Sequence, residues 1–260
     1  MATKTTKKSE SIDVMELTVG SVEFCILGMT PFICNSMSNK ARQELLMPKG
    51  RKSAAEKKGS LKHNPYQEFR DSPYLNHAAD ADTYIEHLAT AFKQSIMGAG
   101  LDVPGATKTQ LGRSLFVERE RVSIYGEPKL FMAVTRSADM KKTPDIRTRA
   151  ILPKWACRIK VKWVAPILNL KTVSSLLSVA GITQGMGDWR AQKGSGNYGQ
   201  FEVVDETNKE FQKILKMGRD VQIQAMENPV CYDEETEKLL SWFDAESNRR
   251  GLSVVGGTAA

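Results

Sequence analysis

The segment with the clearest chemical potential is a glycine-rich stretch over residues 185–199, which reads GMGDWRAQKGSGNYG. It combines five glycines with two bases, Arg190 and Lys193, and two aromatic residues, Trp189 and Tyr198. Glycines let the backbone approach a ligand closely and offer its N–H groups to phosphate oxygens. Basic side chains attract phosphate, and aromatic rings stack on unpaired bases. We therefore predict a flexible clamp for single-stranded nucleic acid; the alternative is a mobile hairpin whose Trp189 merely caps the core.

A second chemical signal is the excess of positive charge between residues 129 and 162, where ten bases face two acids, Asp139 and Asp145. Within residues 156–164 apolar residues alternate with three bases, which predicts a strand with one buried and one basic face. A basic strand face is a track for a phosphate backbone, although a solvated charged surface is the simpler alternative. The bases predicted to contact phosphates are Arg147, Arg149, Arg158, Lys160 and Lys162.

A third basic region lies in the long connection over residues 38–76, which has few aliphatic residues. Connections of this length inside a domain are usually functional or disordered. We predict a basic insertion that becomes ordered on a partner, closing over a bound strand or reaching a neighbouring subunit. Its leading bases are Lys49, Arg51, Lys52, Lys57 and Lys58.

The elements that must position these segments follow from hydrophobic periodicity. Strands are predicted over residues 14–33, 114–117, 122–125, 130–135, 156–164 and 200–204, and helices over residues 80–97 and, with Asn169 as N-cap, 169–180. Two strand–helix units that face one antiparallel sheet form the ferredoxin-like plan. We predict an α+β fold: a ferredoxin-like antiparallel sheet with helices on one face, a long basic insertion and a helical C-terminal region.

Charge and composition divide the chain into four parts. We predict a disordered basic tail at 1–12, a ferredoxin-like domain at 13–204 with the basic insertion at 38–76, an acidic helical region at 205–250 and a flexible tail at 251–260. The net charge of +7 over 260 residues is therefore unevenly distributed, with basic regions in the predicted domain and an acidic C-terminal region. Opposite poles favour head-to-tail assembly of identical subunits, so we predict a homo-oligomer or filament. Alternatively, the acids only keep the helices soluble.

Other classes of protein fit the sequence poorly. No apolar run approaches the roughly 20 residues of a membrane helix, and no secretory signal is recognisable. The four cysteines form no CxxC pair, so we predict a reduced, cytoplasmic protein without a metal or cofactor. Phosphate-loop spacings are absent from the glycine-rich segment. Carboxylates at Asp80, Asp82 and residues 233–235 are explained as charges at helix N-termini, so no catalytic residue is predicted.

The glycine-rich segment after a strand–helix unit, together with residues 22–33 ending Gly-Met-Thr-Pro-Phe-Ile, resembles the RAMP superfamily. That superfamily includes the backbone subunits of CRISPR effector complexes, and the similarity covers about half of the chain. The resemblance implies a ferredoxin-like fold, an RNA partner and repeated subunits. The chain lacks a second glycine-rich loop and the catalytic helix histidine of that family, so the resemblance does not imply RNA cleavage. The same residues would suit a phage-encoded protein that coats or anneals single strands.

We therefore predict a protein that binds single-stranded nucleic acid, RNA or DNA, as repeated subunits along the strand. Two alternatives stay open: a viral structural or assembly protein that uses the charge polarity for subunit contacts, and a metal-dependent nuclease. The main hypothesis requires that the bases of residues 156–164 and the glycine-rich segment share one exposed groove.

Overall fold

Two antiparallel sheets and the helices packed on them make up the part of the chain that the computed structural model describes, namely residues 16–37, 42, 45–47, 61–136, 143–193 and 196–252. The strands are β1 (Thr18–Gly28), β2 (Phe32–Ile33), β3 (Tyr74–Leu75), β4 (Ile85–Leu88), β5 (Leu115–Val117), β6 (Arg121–Tyr125), β7 (Lys129–Arg136), β8 (Pro144–Leu152), β9 (Ala156–Ala165) and β10 (Phe201–Val204). The helices are α1 (Pro65–Asp71), α2 (Ala89–Ala99), α3 (Lys108–Ser114), α4 (Leu170–Thr183), α5 (Lys209–Leu215), α6 (Arg219–Glu227) and α7 (Glu234–Arg249).

The main sheet has the strand order β10-β1-β9-β6-β4-β3, and β5 pairs with β9 beyond the end of β6. All of these pairings are antiparallel. Helix α2 follows β1 in the chain before the β5–β6 segment, and α4 connects β9 to β10. If β1, β6, β9 and β10 are counted as the four strands of one unit, their order across the sheet is fourth, first, third and second. This is the ferredoxin-like arrangement. The predicted α+β fold is confirmed.

Alternation along β1 and β9 decides which face of the main sheet is buried. Phe24 pairs with Ile159, and both side chains are buried against α2 and α4. Those helices contribute Phe92 and Leu176 to the same core. We call this the inner face and the opposite one, which carries the bases of β9, the outer face. The predicted N-cap of α4 is present, because the Asn169 side chain accepts a hydrogen bond of 2.9 Å from the Thr172 N–H.

The second sheet has the order β2-β8-β7 and includes a strand that the sequence analysis did not predict, β8. The first half of β8 places the charged Asp145 and Arg147 on one face and Pro144, Ile146 and Thr148 on the other, so few strongly apolar residues mark it as a half-buried strand. Ala150 and Leu152 face the main core, whereas Arg147 and Arg149 project from the other side. This sheet therefore supplies two of the predicted phosphate-binding bases.

The helix predicted over residues 80–97 begins later than expected. Residues Ile85–Leu88 form strand β4, which pairs with β6, and α2 starts at Ala89. Ile85 and His87 are buried on the same side of β4, a spacing of two residues. The apolar positions before residue 89 fit a strand as well as a helix, and pairing with β6 decides between them.

The predicted basic insertion is only partly described, and its residues 61–76 are packed into the molecule. Helix α1 lies within it and buries Tyr66 and Phe69 against the core that includes β8. The side chain of Asn64 caps α1 by accepting from the Gln67 N–H at 3.2 Å. Residues 61–76 are therefore structural. The bases predicted to lead the insertion lie outside the described residues; they are Lys49, Arg51, Lys52, Lys57 and Lys58.

The C-terminal helices attach to both sheets. Phe211 of α5 is buried against the outer face of the main sheet. Gln222 of α6 is fully buried and bonds four backbone groups: its Oε1 accepts from the Tyr84 and Ile85 N–H groups, and its Nε2 donates to the Ile124 and Gly126 carbonyls. One side chain thus fixes α6 to β4 and to the turn after β6.

Replacing Gln222 tests this attachment. We expect Gln222→Leu to lower the free energy of unfolding by about 3–5 kcal/mol, because several buried backbone groups lose their partner at once. Chemical denaturation measures the change. Gln224→Leu is the matched control, since Gln224 lies exposed on the same helix and should change stability by about 0.5 kcal/mol or less. Equal effects of the two substitutions would contradict the assignment.

Candidate nucleic-acid interface

The glycine-rich segment is held at its two ends by hydrogen bonds to α2 and to the chain at β2 of the second sheet. The Ser95 hydroxyl donates to the Gly185 carbonyl at 3.2 Å, and the Asp188 N–H donates to the Ile33 carbonyl at 3.0 Å. At the other end, the Gly199 N–H donates to the Pro31 carbonyl at 2.8 Å. Residues 194 and 195 lie outside the described residues. The segment therefore has fixed ends beside β2.

Two glycines of this segment are required by packing. Gly187 has φ +78°, and a Cβ there would lie 2.5 Å from the Ile33 carbonyl oxygen. Gly199 has φ +71°, and its Cβ would overlap the Met186 carbonyl. Positive φ favours glycine at both positions. These residues let the loop fold closely onto β2 and onto itself, a role different from the phosphate contact expected from the sequence.

The two aromatic residues of the segment come together on the second sheet. The rings of Trp189 and Tyr198 lie 6.1 Å apart and pack on Phe131 of β7, at 6.1 and 6.3 Å between centroids. Tyr232, from the region before α7, also contacts Phe131 at 5.6 Å. Trp189 and Tyr198 are only half-buried, so part of each ring stays exposed. Trp189 therefore contacts the core through Phe131, as the alternative interpretation expected, but its ring is still partly exposed to solvent.

Two arginines of β8 lie on the same side of the second sheet as these rings. The register pairs Arg149 with Phe131 and Arg147 with Ala133, and all four residues line one shallow depression with Trp189. We call Phe131, Arg147, Arg149, Trp189 and Tyr198 the arginine–aromatic face. Residues from three distant parts of the sequence therefore meet at one surface.

The two arginines differ in their surroundings. Arg147 is exposed, and its side chain makes no ion pair or hydrogen bond with any described residue. Arg149 is half-buried; one Nη donates to the Thr148 carbonyl at 3.0 Å, while its buried Nε has no partner in the described part of the chain. Burial lowers the pKa of Arg149, an effect opposed by the nearby Asp188 carboxylate. Arg147 is thus the more available cation.

The bases of the glycine-rich segment lie away from these arginines. Arg190 donates from Nε to the Gln192 side chain at 3.0 Å and from one Nη to the Gly187 carbonyl at 3.0 Å. It lines a cleft against α2. Lys193 lies exposed in the short 3₁₀ helix Ala191–Lys193.

The three bases of β9 are paired with acids of the same chain. Arg158 lies 2.8 Å from Glu206 and 3.7 Å from Glu23. Lys160 and Lys162 both contact Glu118, at 3.1 and 3.0 Å. Hydrogen bonds from Lys162 and Lys160 lower the pKa of Glu118, and the bond to Glu206 raises the pKa of Arg158. The charge that the sequence displays on this strand is therefore balanced locally.

The single groove expected from the sequence is not formed among the described residues. The bases of β9 lie on the outer face of the main sheet, whereas Gly185 contacts α2 on the inner face. An outer-face cavity of 290 Å³ is lined by Arg119, Arg121, Arg158 and Lys160, and also by the carboxylates of Glu23, Asp82 and Glu118. The alternating pattern of residues 156–164 correctly placed the bases on one face of β9. It does not indicate on which side of the sheet the glycine-rich segment lies.

Sequence reasoning missed Phe131, Asp188 and Tyr232 as parts of this surface. Phe131 was expected only as an apolar strand residue, and Tyr232 stands in a stretch read as acidic helix. No motif connects these residues, because β7, β8 and the glycine-rich segment meet only in the folded chain.

The described residues form no metal-binding group, disulfide or membrane-spanning helix. Within the described residues, no three His, Cys, Asp or Glu side chains lie together as a metal-binding group. All four cysteines are free thiols, and burial raises the pKa of Cys34 and Cys157. No helix in the described ranges has the length and apolarity needed to cross a bilayer.

Comparison with known proteins yields distant structural likenesses and no match in sequence. No family model matches the chain, and no curated protein matches its sequence. Among solved structures, the crystal structure of Cmr6 from Pyrococcus furiosus is similar over 72% of this chain and 99% of that chain, with 11% identity and a TM-score of 0.37. At this level of similarity neither a family nor a function follows for this chain.

A histidine links α1 to the strand that carries the arginines. The ring of His63 bonds two carboxylates, Glu68 of α1 through Nδ1 at 2.7 Å and Asp145 of β8 through Nε2 at 3.0 Å. Lys62 also contacts Asp145, at 2.9 Å. Only the imidazolium form can donate from both ring nitrogens. The bond to Glu68 accordingly raises the pKa of His63, burial opposes it, and Asp145 adds to the rise.

This bridge predicts a pH-dependent stability. Because the pKa of His63 is higher in the folded than in the unfolded chain, its contribution is complete below about pH 6.5 and is lost as the pH rises through the folded value. We expect His63→Ala to lower the melting temperature more at pH 5.5 than at pH 8.5. His77→Ala is the control, since exposed His77 has no carboxylate partner among the described residues. A His63→Ala effect that is the same at both pH values would contradict the bridge.

Proposed function

We propose that the protein binds single-stranded nucleic acid through the arginine–aromatic face, a different surface from the shared groove that the sequence-based hypothesis required and that the described residues do not form. The observation that carries the proposal is the exposed guanidinium of Arg147, which pairs with no described residue, next to the partly exposed rings of Trp189 and Tyr198. A guanidinium contacts phosphate oxygens through paired N–H donors, and the rings offer stacking surfaces to unpaired bases. This combination of groups is typical of surfaces that bind single strands with little sequence preference.

The charge pairing supports this surface over the basic strand β9. A phosphate that approaches Lys160 or Lys162 must compete with Glu118, and one that approaches Arg158 must compete with Glu206. Arg147 forms no ion pair with a described residue, and the two arginines of its depression face one carboxylate among the described lining residues, that of Asp188. We therefore assign the main phosphate contacts to Arg147 and Arg149, with Lys193 as a peripheral contact, and give the β9 bases a structural role.

The proposal covers RNA and single-stranded DNA alike, because discrimination rests on contacts to the 2′-hydroxyl. The proposal also includes the assembly of repeated subunits along the bound nucleic acid. The acidic first turn of α7, with Glu234, Glu235 and Glu237 exposed, supports assembly against basic surfaces of a neighbouring copy. If the protein self-associates but binds no nucleic acid, the alternative function, a viral structural or assembly protein, applies.

Titration with a fluorescent single-stranded oligonucleotide over a range of salt, with and without magnesium, distinguishes the three hypotheses. Binding that weakens steeply with salt supports the proposal. Absence of binding at low salt, together with self-association, favours an assembly protein. Magnesium-dependent shortening of the oligonucleotide reveals a nuclease.

Replacement of Arg147 tests the phosphate contact. We expect Arg147→Ala to weaken binding and to reduce the slope of log affinity against log salt by about 0.7, the value for one phosphate contact on a single strand. Lys162→Ala is the matched control, because Lys162 is paired with Glu118 on the other side of the molecule. Loss of affinity with Lys162→Ala and not with Arg147→Ala would overturn the assignment.

Stacking on Trp189 should be visible in tryptophan fluorescence. Trp155 and Trp163 are buried, so Trp242→Phe leaves Trp189 as the tryptophan most open to solvent. In this variant we expect an oligonucleotide to quench the emission, because a stacked base contacts the indole ring. Adding Trp189→Phe, which keeps an aromatic ring against Phe131, should remove the quenching. Quenching that persists would show that the rings are not the binding surface.

A further inference from the structure

We propose that the cleft between α2 and the glycine-rich segment receives one nucleobase of the bound strand. This inference rests on the proposed function and adds a second binding site to it. The cleft has a volume of 260 Å³, just below the range of about 300–1,000 Å³ for small-ligand sites. A space of this size suits a single planar heterocycle.

The walls of the cleft are suited to a flat, weakly polar ring. Its apolar lining comes from Leu88 at the end of β4, Ala91 in the first turn of α2 and the buried Met186 of the glycine-rich segment. The backbone of Gly185 and Gly187 completes this side without side chains. Apolar side chains and glycine backbone allow a base to lie flat against the protein.

The polar groups at the cleft suit the edge of a base and the adjoining phosphate. The exposed Thr90 and Gln94 side chains line it, and neither makes a hydrogen bond within the described part of the chain. A carboxamide offers both donors and acceptors, as base edges require. Arg190 lines the cleft as well, and its bonds to Gln192 and Gly187 hold the guanidinium in place while leaving other N–H groups for a phosphate.

Electrostatics favours this cleft over the larger cavity on the outer face. No carboxylate of a described residue lines the cleft, and Arg190 gives it positive charge. The outer-face cavity is lined by four basic side chains, but Glu23, Asp82 and Glu118 line it as well and would compete with a phosphate for those bases.

Consecutive residues of the glycine-rich segment join the cleft to the arginine–aromatic face. Trp189 and Arg190 are consecutive residues, and the first packs towards β7 while the second lines the cleft. A strand that crosses the glycine-rich segment can therefore stack one base on the aromatic rings and insert another beside α2. Arg190 would contact the phosphate near the inserted base.

The test compares a single-stranded oligonucleotide with an abasic strand of the same length. Ala91→Leu fills the cleft with a good helix former, so α2 should be retained. We expect this variant to bind the normal strand roughly fivefold or more weakly, since one stacked base is lost, and to bind the abasic strand as the wild type does. Ala245→Leu, at an exposed position on α7, is the matched control.

A second variant protects the test against misfolding. Gln94→Ala removes an exposed amide without filling space, and we expect it to reduce differences in affinity among homopolymers of different base. Unchanged affinities in both variants would overturn the cleft proposal alone, provided that Arg147→Ala still weakens binding. Failure of the wild-type protein to bind any strand would overturn the proposed function as well.

Discussion

The antiparallel pairing of β1 with β9 is the constraint on which the rest of the molecule depends. Ten consecutive residue pairs set its register. Because successive side chains on a strand point to opposite faces, this register assigns Phe24 and Ile159 to the helices and Glu23 and Lys160 to the outer face. Helices α2 and α4 then have one apolar surface to cover, and α4 must deliver the glycine-rich segment on their side of the sheet.

Local patterns in the sequence predicted the parts of this fold that depend on neighbouring residues. The alternation in β9 and the N-cap of α4 at Asn169 are examples, since each is decided within a few positions. Strand β8 could not be predicted in the same way, because its two arginines face a surface that other segments supply. Similarly, β4 becomes a strand through its pairing with β6, and its own spacing does not exclude a helix.

The candidate site follows the same division. Residue types alone selected Arg147, Arg149, Trp189 and Tyr198, and the fold brings these four to one surface around Phe131. The partners of the β9 bases were out of reach of sequence reasoning, because Glu118 stands in a separate connection. A run of positive charge is therefore visible in the sequence, whereas the acids that neutralise it become apparent only in the folded structure.

Glu118 has a consequence for how such a surface can change. Its single carboxylate contacts both Lys160 and Lys162, so two cations share one counter-charge. A single substitution of Glu118 would thus turn an electrically balanced sheet face into a cationic one. In a chain that carries a neutral residue at this position, the outer face of the main sheet would acquire a polyanion-binding character.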